Sequence, residues 1–263
     1  MARPEAPVDR TVKARADLAD FLRARRKSVG LTYREMSDWL EGSISKSTFE
    51  RAASGTTVPA WDTVAWYVNL TITKEEAFTS SLGTAHDQAH GLWIKARRAT
   101  RAPYYLHKAP DPRLISLPAD FSRALRDQHV WAGCPTSGEM SGMSGPGMLP
   151  KTTAHRIIQG RILPVTPTQT VAFLKACYVT APEDLEPWLA AAVRVTVGDR
   201  RPWIEEHDRI LKKVTENRDN AAWRRLPMRH RGPDRHRPPR GDDAVHLGSE
   251  WDQYEYMSNI GAA

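Results

Sequence analysis

Residues 44–59 read ISKSTFERAASGTTVP, and residues 149–164 read LPKTTAHRIIQGRILP. Laid over each other without a gap, Lys46, Thr48, Arg51, Gly55 and Pro59 fall on Lys151, Thr153, Arg156, Gly160 and Pro164. Ile44/Leu149, Ser47/Thr152 and Val58/Leu163 are chemically similar pairs. The likeness extends outward. Upstream, TYREMS (32–37) pairs with TSGEMS (136–141), and LRARRKSVG (22–30) with LRDQHVWAG (125–133). Downstream, Val64-Ala65-Trp66 pairs with Val171-Ala172-Phe173, and Trp93 with Trp188. A unit of about 95 residues is used twice, and this repeat is the signal from which the fold is read.

Each copy reads as helices. Leu18, Phe21, Leu22 and Val29 form an apolar stripe at helical spacing, ended by Gly30. Thr32-x-x-Glu35 is a capping box, repeated as Thr136-x-x-Glu139. Met36, Trp39 and Leu40 then predict a short amphipathic helix. Ser45 is placed to cap a third helix with Ile44, Phe49 and Ala52 facing inward and Gly55 as its stop. Trp61, Val64, Ala65 and Val68 mark a fourth, and the Trp93 segment a later one. No stretch sustains two-residue alternation, so the expected fold class is all-α: two tandem helical domains with a disordered tail. The expected divisions are a disordered 1–10, a first domain 11–103, a more divergent second domain 104–198, a helical extension 199–222, and a disordered 223–263.

Two short helices joined by a tight turn, the second bearing Lys, Ser/Thr and Arg outward, form a helix-turn-helix plan. Residues 32–59 resemble the XRE/Cro-repressor helix-turn-helix family, with Thr32, Glu35, Met36, Ser37, Ser45, Ser47, Thr48, Phe49, Arg51 and Gly55 in the motif's places. The resemblance spans about 11–70 and again about 119–178. It implies a sequence-specific regulator of bacterial type that reads double-stranded DNA through Lys46, Ser47 and Arg51, and through Lys151, Thr152 and Arg156. Thr32 joins them at the start of the preceding helix. Two departures stand out. The turn is longer than the family's compact form, at EGSI in copy one and GMSGPGML in copy two, and Gly138 lies early in a helix. These glycines leave copy two either a looser reader or a packing partner.

Composition sets bounds around this reading. The 263 residues allow one or two domains. A 40% hydrophobic and 26% charged balance excludes wholesale disorder. No apolar run is long enough to span a membrane, and the N-terminus lacks the apolar core of a secretory signal. Two cysteines, Cys134 and Cys177, make no disulfide framework and are expected reduced and buried. The expected setting is cytoplasmic and nucleoid-associated.

Charge is unevenly placed. The total is 38 − 31 = +7, residues 199–241 carry 13 − 7 = +6, and residues 242–263 carry 0 − 5 = −5. The run WRRLPMRHRGPDRHRPPR (223–240) holds seven arginines and four prolines. It cannot bury a core, and Arg224, Arg225, Arg229 and Arg231 are candidates to track phosphates, against the plainer reading of a solvated linker. The acidic end, with Trp251, Tyr254 and Tyr256, is a candidate protein-binding peptide, a mask for the basic run, or a featureless tail.

Other motifs carry less. His86-x-x-x-His90 has zinc-site spacing, but no Glu or Cys accompanies it, so a solvated helix face is expected. GPGMLPKT (145–152) imitates a phosphate loop, yet Pro150 removes an amide that phosphate needs. No acid pair or nucleophile arrangement stands out, so neither an enzyme nor a cofactor is expected. Rival readings are an adaptor whose degenerate helix-turn-helix modules bind protein, and a DNA-binding factor for plasmid or chromosome-end maintenance. A homodimer on a palindrome competes with one chain spanning an asymmetric site.

Overall fold

A computed structural model describes residues 5–79, 82–196 and 200–223. Every regular element among the described residues is helical, so the chain is all-α. None of these helices is long and apolar enough to cross a membrane. The chain divides into two compact units, Met1–Pro103 and Tyr104–Ala263.

The first unit holds α1 (Lys13–Val29), α2 (Tyr33–Trp39), α3 (Lys46–Ala52), α4 (Trp61–Leu70), α5 (Lys74–Thr79) and α6 (Leu82–Arg101). The α1 stripe is as its spacing predicts: Leu18 and Leu22 are buried, while Phe21 and Val29 are half-buried at its edge. Gly30 ends the helix at φ 70°, a left-handed turn that costs a residue with a Cβ about 1 kcal/mol or more. Met36 of α2, Phe49 of α3 and Val64, Tyr67 and Val68 of α4 complete the centre, each fully buried. Phe49 meets Tyr67 edge-on, with ring centroids 5.8 Å apart. Full burial of a side chain of this size stabilises by about 1.5–3 kcal/mol. Trp39, expected on the apolar face of α2, is instead 41% exposed. The buried face of α2 is made by Tyr33, Met36 and Ser37, and Trp39 lies off it.

The second unit has a short 3-10 turn at Pro112–Leu114, then α7 (Pro118–Trp131), α8 (Ser137–Met143), α9 (Lys151–Ile158), α10 (Pro167–Ala176), α11 (Pro182–Val195) and α12 (Arg201–Trp223). Phe121 and Leu125 of α7, Met140 of α8, Ile157 of α9, Phe173 of α10 and Trp188 of α11 meet in one core. Trp203, Ile210 and Leu211 of α12 pack partly buried against it. Tyr104 donates its hydroxyl to Asp127 of α7 at 2.7 Å, which ties the segment after Pro103 to this unit.

Several details correct the sequence reading. The sequence predicts disorder through residue 10, but residues 5–10 lie on the first unit. Arg26 and Arg23 sit 2.8 and 3.2 Å from the Glu5 carboxylate, and Tyr33 donates to it as well. The Asp9 amide donates to the Ser54 carbonyl at 2.8 Å. Gly55 is not the stop of α3, which ends at Ala52 with Ala53 as its cap. Its φ is 79°, and a Cβ there would stand 2.6 Å from the Asp9 carbonyl oxygen. Glycine is needed because the N-terminal strap passes over it. In copy two, Gly142 and Met143 belong to α8, so the turn there runs only from Ser144 to Pro150, against Leu40 to Ser45 in copy one.

Candidate nucleic-acid interface

The starts of α2 and α8 are built alike in the two units. The Thr32 hydroxyl accepts from the Glu35 amide at 3.2 Å, and the Glu35 carboxylate accepts from the Thr32 amide at 2.7 Å. The Thr32 hydroxyl also donates to the Glu35 carboxylate, and this bond, with the one from the Thr32 amide, holds the Glu35 carboxyl below its ordinary range. Thr136 and Glu139 make the same two bonds at 3.2 and 2.6 Å. The chain enters each cap through a matching reversal: the Leu31 amide donates to the Arg26 carbonyl, and the Cys134 amide to that of His129. The same two side chains then hold the carbonyl just before the cap. Arg26 donates to Leu31 O and His129 Nε2 to Pro135 O, both at 2.8 Å. Arg26 also lies over the Tyr33 ring, 4.4 Å from its centroid.

Beyond the turn, α3 and α9 present their residues in one order. Reading from Lys46 and from Lys151, both helices run exposed, exposed, half-buried, buried, exposed, exposed, buried. Phe49 and Ala52, and equally Ala154 and Ile157, point to their cores. Lys46, Ser47, Glu50 and Arg51 therefore face outward in the first unit, and Lys151, Thr152, His155 and Arg156 in the second. All six outward residues expected from the sequence are exposed. Thr32 is exposed too, with its hydroxyl bonded to the Glu35 carboxylate at 2.7 Å. Arg224, Arg225, Arg229 and Arg231 lie outside the described residues.

Sequence reasoning passed over Glu50 and His155, although helical register alone puts both beside the arginines. Lys46 Nζ stands 3.5 Å from Glu50, an exposed pair worth well under 1 kcal/mol. Arg51 Nε donates to the Ser47 carbonyl at 3.3 Å. In α9, the Gln159 side-chain amide is hydrogen-bonded to the His155 ring at Nε2, 2.7 Å away. Neither Lys151 nor Arg156 makes an ion pair among the described residues. Copy two, whose glycines left it in doubt as a reader, thus carries the more cationic face.

The segment leaving α3 is held from three sides. Arg23 Nε donates to Ala53 O at 2.7 Å, Arg15 to Thr56 O at 2.6 Å, and the Asp9 amide to Ser54 O at 2.8 Å. Three long-range bonds at one helix end fix the aim of its outward side chains. Nothing in the local sequence of α3 encodes these partners.

His86 and His90 are not on a solvated face. His90 packs edge-on against Trp61 at 4.8 Å, His86 bonds Asn69 Oδ1 at 2.7 Å, and burial pulls both imidazoles below their usual range, His90 to about 4. No group of three potential metal ligands occurs among the described residues. Cys177 is buried as expected, whereas Cys134 is only half-buried, and neither forms a disulfide. Cys134 takes φ 53° in the turn after α7. Comparisons with protein families, curated proteins and solved structures find no match for this chain.

Proposed function

We propose that this protein binds double-stranded DNA in a sequence-specific manner, through α3 and α9, and acts as a transcriptional regulator with XRE-like modules in tandem. The observation that carries the reading is the shared outward order on α3 and α9, behind two identical capping boxes. A helix of seven or eight residues is about 10–12 Å long, which suits a major groove about 12 Å wide. Arg51 and Arg156 are the residues suited to guanine O6 and N7. Lys46, Lys151, Ser47 and Thr152 are suited to phosphates or base edges. Thr32 caps the helix that would lie across the backbone. The Arg-rich run with Arg224, Arg225, Arg229 and Arg231 adds phosphate contacts of no sequence preference.

The test is selection from a randomised duplex library by the full chain, followed by titration of the selected duplex. Arg51→Ala should lose about 1–3 kcal/mol of discrimination for that duplex while keeping its affinity for random DNA. A chain that prefers no duplex over any other would refute the reading. Mapping of bound sites along the genome then separates a regulator, whose sites lie at promoters, from a maintenance factor confined to plasmid or chromosome ends. Native mass measurement on the selected duplex decides between one chain on an asymmetric site and two on a palindrome.

A further inference from the structure

Four outward positions face away from the core on α3, and four on α9. Three of the four match in chemistry: Lys46 with Lys151, Ser47 with Thr152, and Arg51 with Arg156. Over their seven shared positions the two helices differ at four, and two of those, Phe49/Ala154 and Ala52/Ile157, are buried and turned away from any ligand. The fourth outward position is different in kind. It holds Glu50, an acceptor carrying negative charge, in the first unit and His155, whose ring carries an N–H, in the second.

Resting on the DNA reading above, we propose that this position is where the two half-sites part. The half-sites are otherwise alike, and Glu50 selects cytosine where His155 selects guanine. A carboxylate on a face turned toward DNA is repelled by phosphates and by every base edge that offers only acceptors. Guanine, with N7 and O6, is such an edge in the major groove, while cytosine presents the N4 amine. Glu50 therefore acts chiefly by exclusion: cytosine N4 and adenine N6 both offer an amine, but the adenine edge sets its N7 acceptor beside that amine, so cytosine is the edge from which a carboxylate accepts without repulsion. Its ion pair with Lys46 uses Oε1, and a carboxylate has a second oxygen to accept the amine. Lys46 also offsets the repulsion from the nearest phosphate. His155 has the opposite preference. Its ring carries an N–H in either tautomer, and guanine supplies two acceptors for it. The difference in charge adds a second contrast: the α9 face has no acid, so it should hold phosphate more strongly than the α3 face.

Selection from a randomised duplex library by the full chain, wild type beside Glu50→His and His155→Glu, tests this. The wild-type motif should hold two related halves that differ at one base pair, with about a tenfold preference at that pair in each half. Glu50→His should convert the first half into a copy of the second, and His155→Glu the reverse. Both positions are exposed, and unchanged thermal unfolding of the variants would show that they fold. A motif that ignores both exchanges, yet is degraded by Arg51→Ala, would overturn the proposal and leave the DNA reading standing. Enrichment of no motif by any form would remove the DNA reading and the proposal together.

Discussion

Glu76 offers a test of how the first unit is held together. It lies in α5, where its carboxylate takes both Arg25 guanidinium nitrogens at 2.7 and 3.0 Å and the Thr73 amide at 2.9 Å. The Thr73 hydroxyl accepts from the Glu76 amide in return, which makes a third capping box. Hydrogen bonding by Arg25 comes first among the causes that pull its carboxyl from 4.5 down to about 2. A change of that size corresponds to at most about 3 kcal/mol of preference for the charged form. The side chain is still 20% exposed, so solvent screens part of this, and about 1–2 kcal/mol is the expected contribution. Glu76→Gln keeps the shape and removes the charge. Scanning calorimetry of the full chain at neutral pH should show the first unit melting about 5–10 °C lower in the variant. A depressed carboxyl stabilises the fold above its unfolded value and loses that effect as protons bind. The gap between wild type and variant should therefore be full above about pH 4.5 and close as the pH falls toward 2. Equal melting at neutral pH, or a gap that persists undiminished at pH 2, would refute the reasoning.

Other expectations follow from single residues. Gly55→Ala should destabilise the first unit by more than about 2 kcal/mol, because it adds a clash with the Asp9 carbonyl to the strain of a positive φ. Gly42→Ala, at φ 78° with nothing nearby, should cost only about 1 kcal/mol, and denaturant titration compares the two. Burial pushes the Cys177 thiol up, so a thiol reagent on the native protein should modify Cys134 first and Cys177 only as the second unit opens. Equal rates at the two would count against the packing around Cys177. Deleting residues 223–263 should reduce the slope of log K against log salt by about 0.9 for each phosphate that the arginines neutralise, while deleting 242–263 alone should strengthen binding if the acidic end masks them. An unchanged slope in both would leave the tail without a part in DNA binding.

Most helices, and several of their ends, were legible in local stretches of chain. Thr32/Glu35, Thr136/Glu139, Ser45 before α3 and Gly30 after α1 act on groups three to five residues away, so their effect is written in short stretches of chain. The box at Thr73/Glu76 could have been read in the same way. The repeat likewise marked Lys46, Ser47, Arg51 and their counterparts as outward, because register on a helix fixes which residues share a face. What depends on partners far along the chain could be seen only once the chain was folded. Glu5 and Asp9 join α1, α2 and the segment after α3 through partners well separated in sequence, so a stretch that looks like a loose terminus became a strap. His86 and His90 look like a polar face until Trp61 is seen against them. Burial is a property of the folded neighbourhood and not of the local chain. Helical register alone sets Glu50 and His155 beside the arginines, whereas their exposure, like the burial of Phe49, Ala52, Ala154 and Ile157, came with the fold.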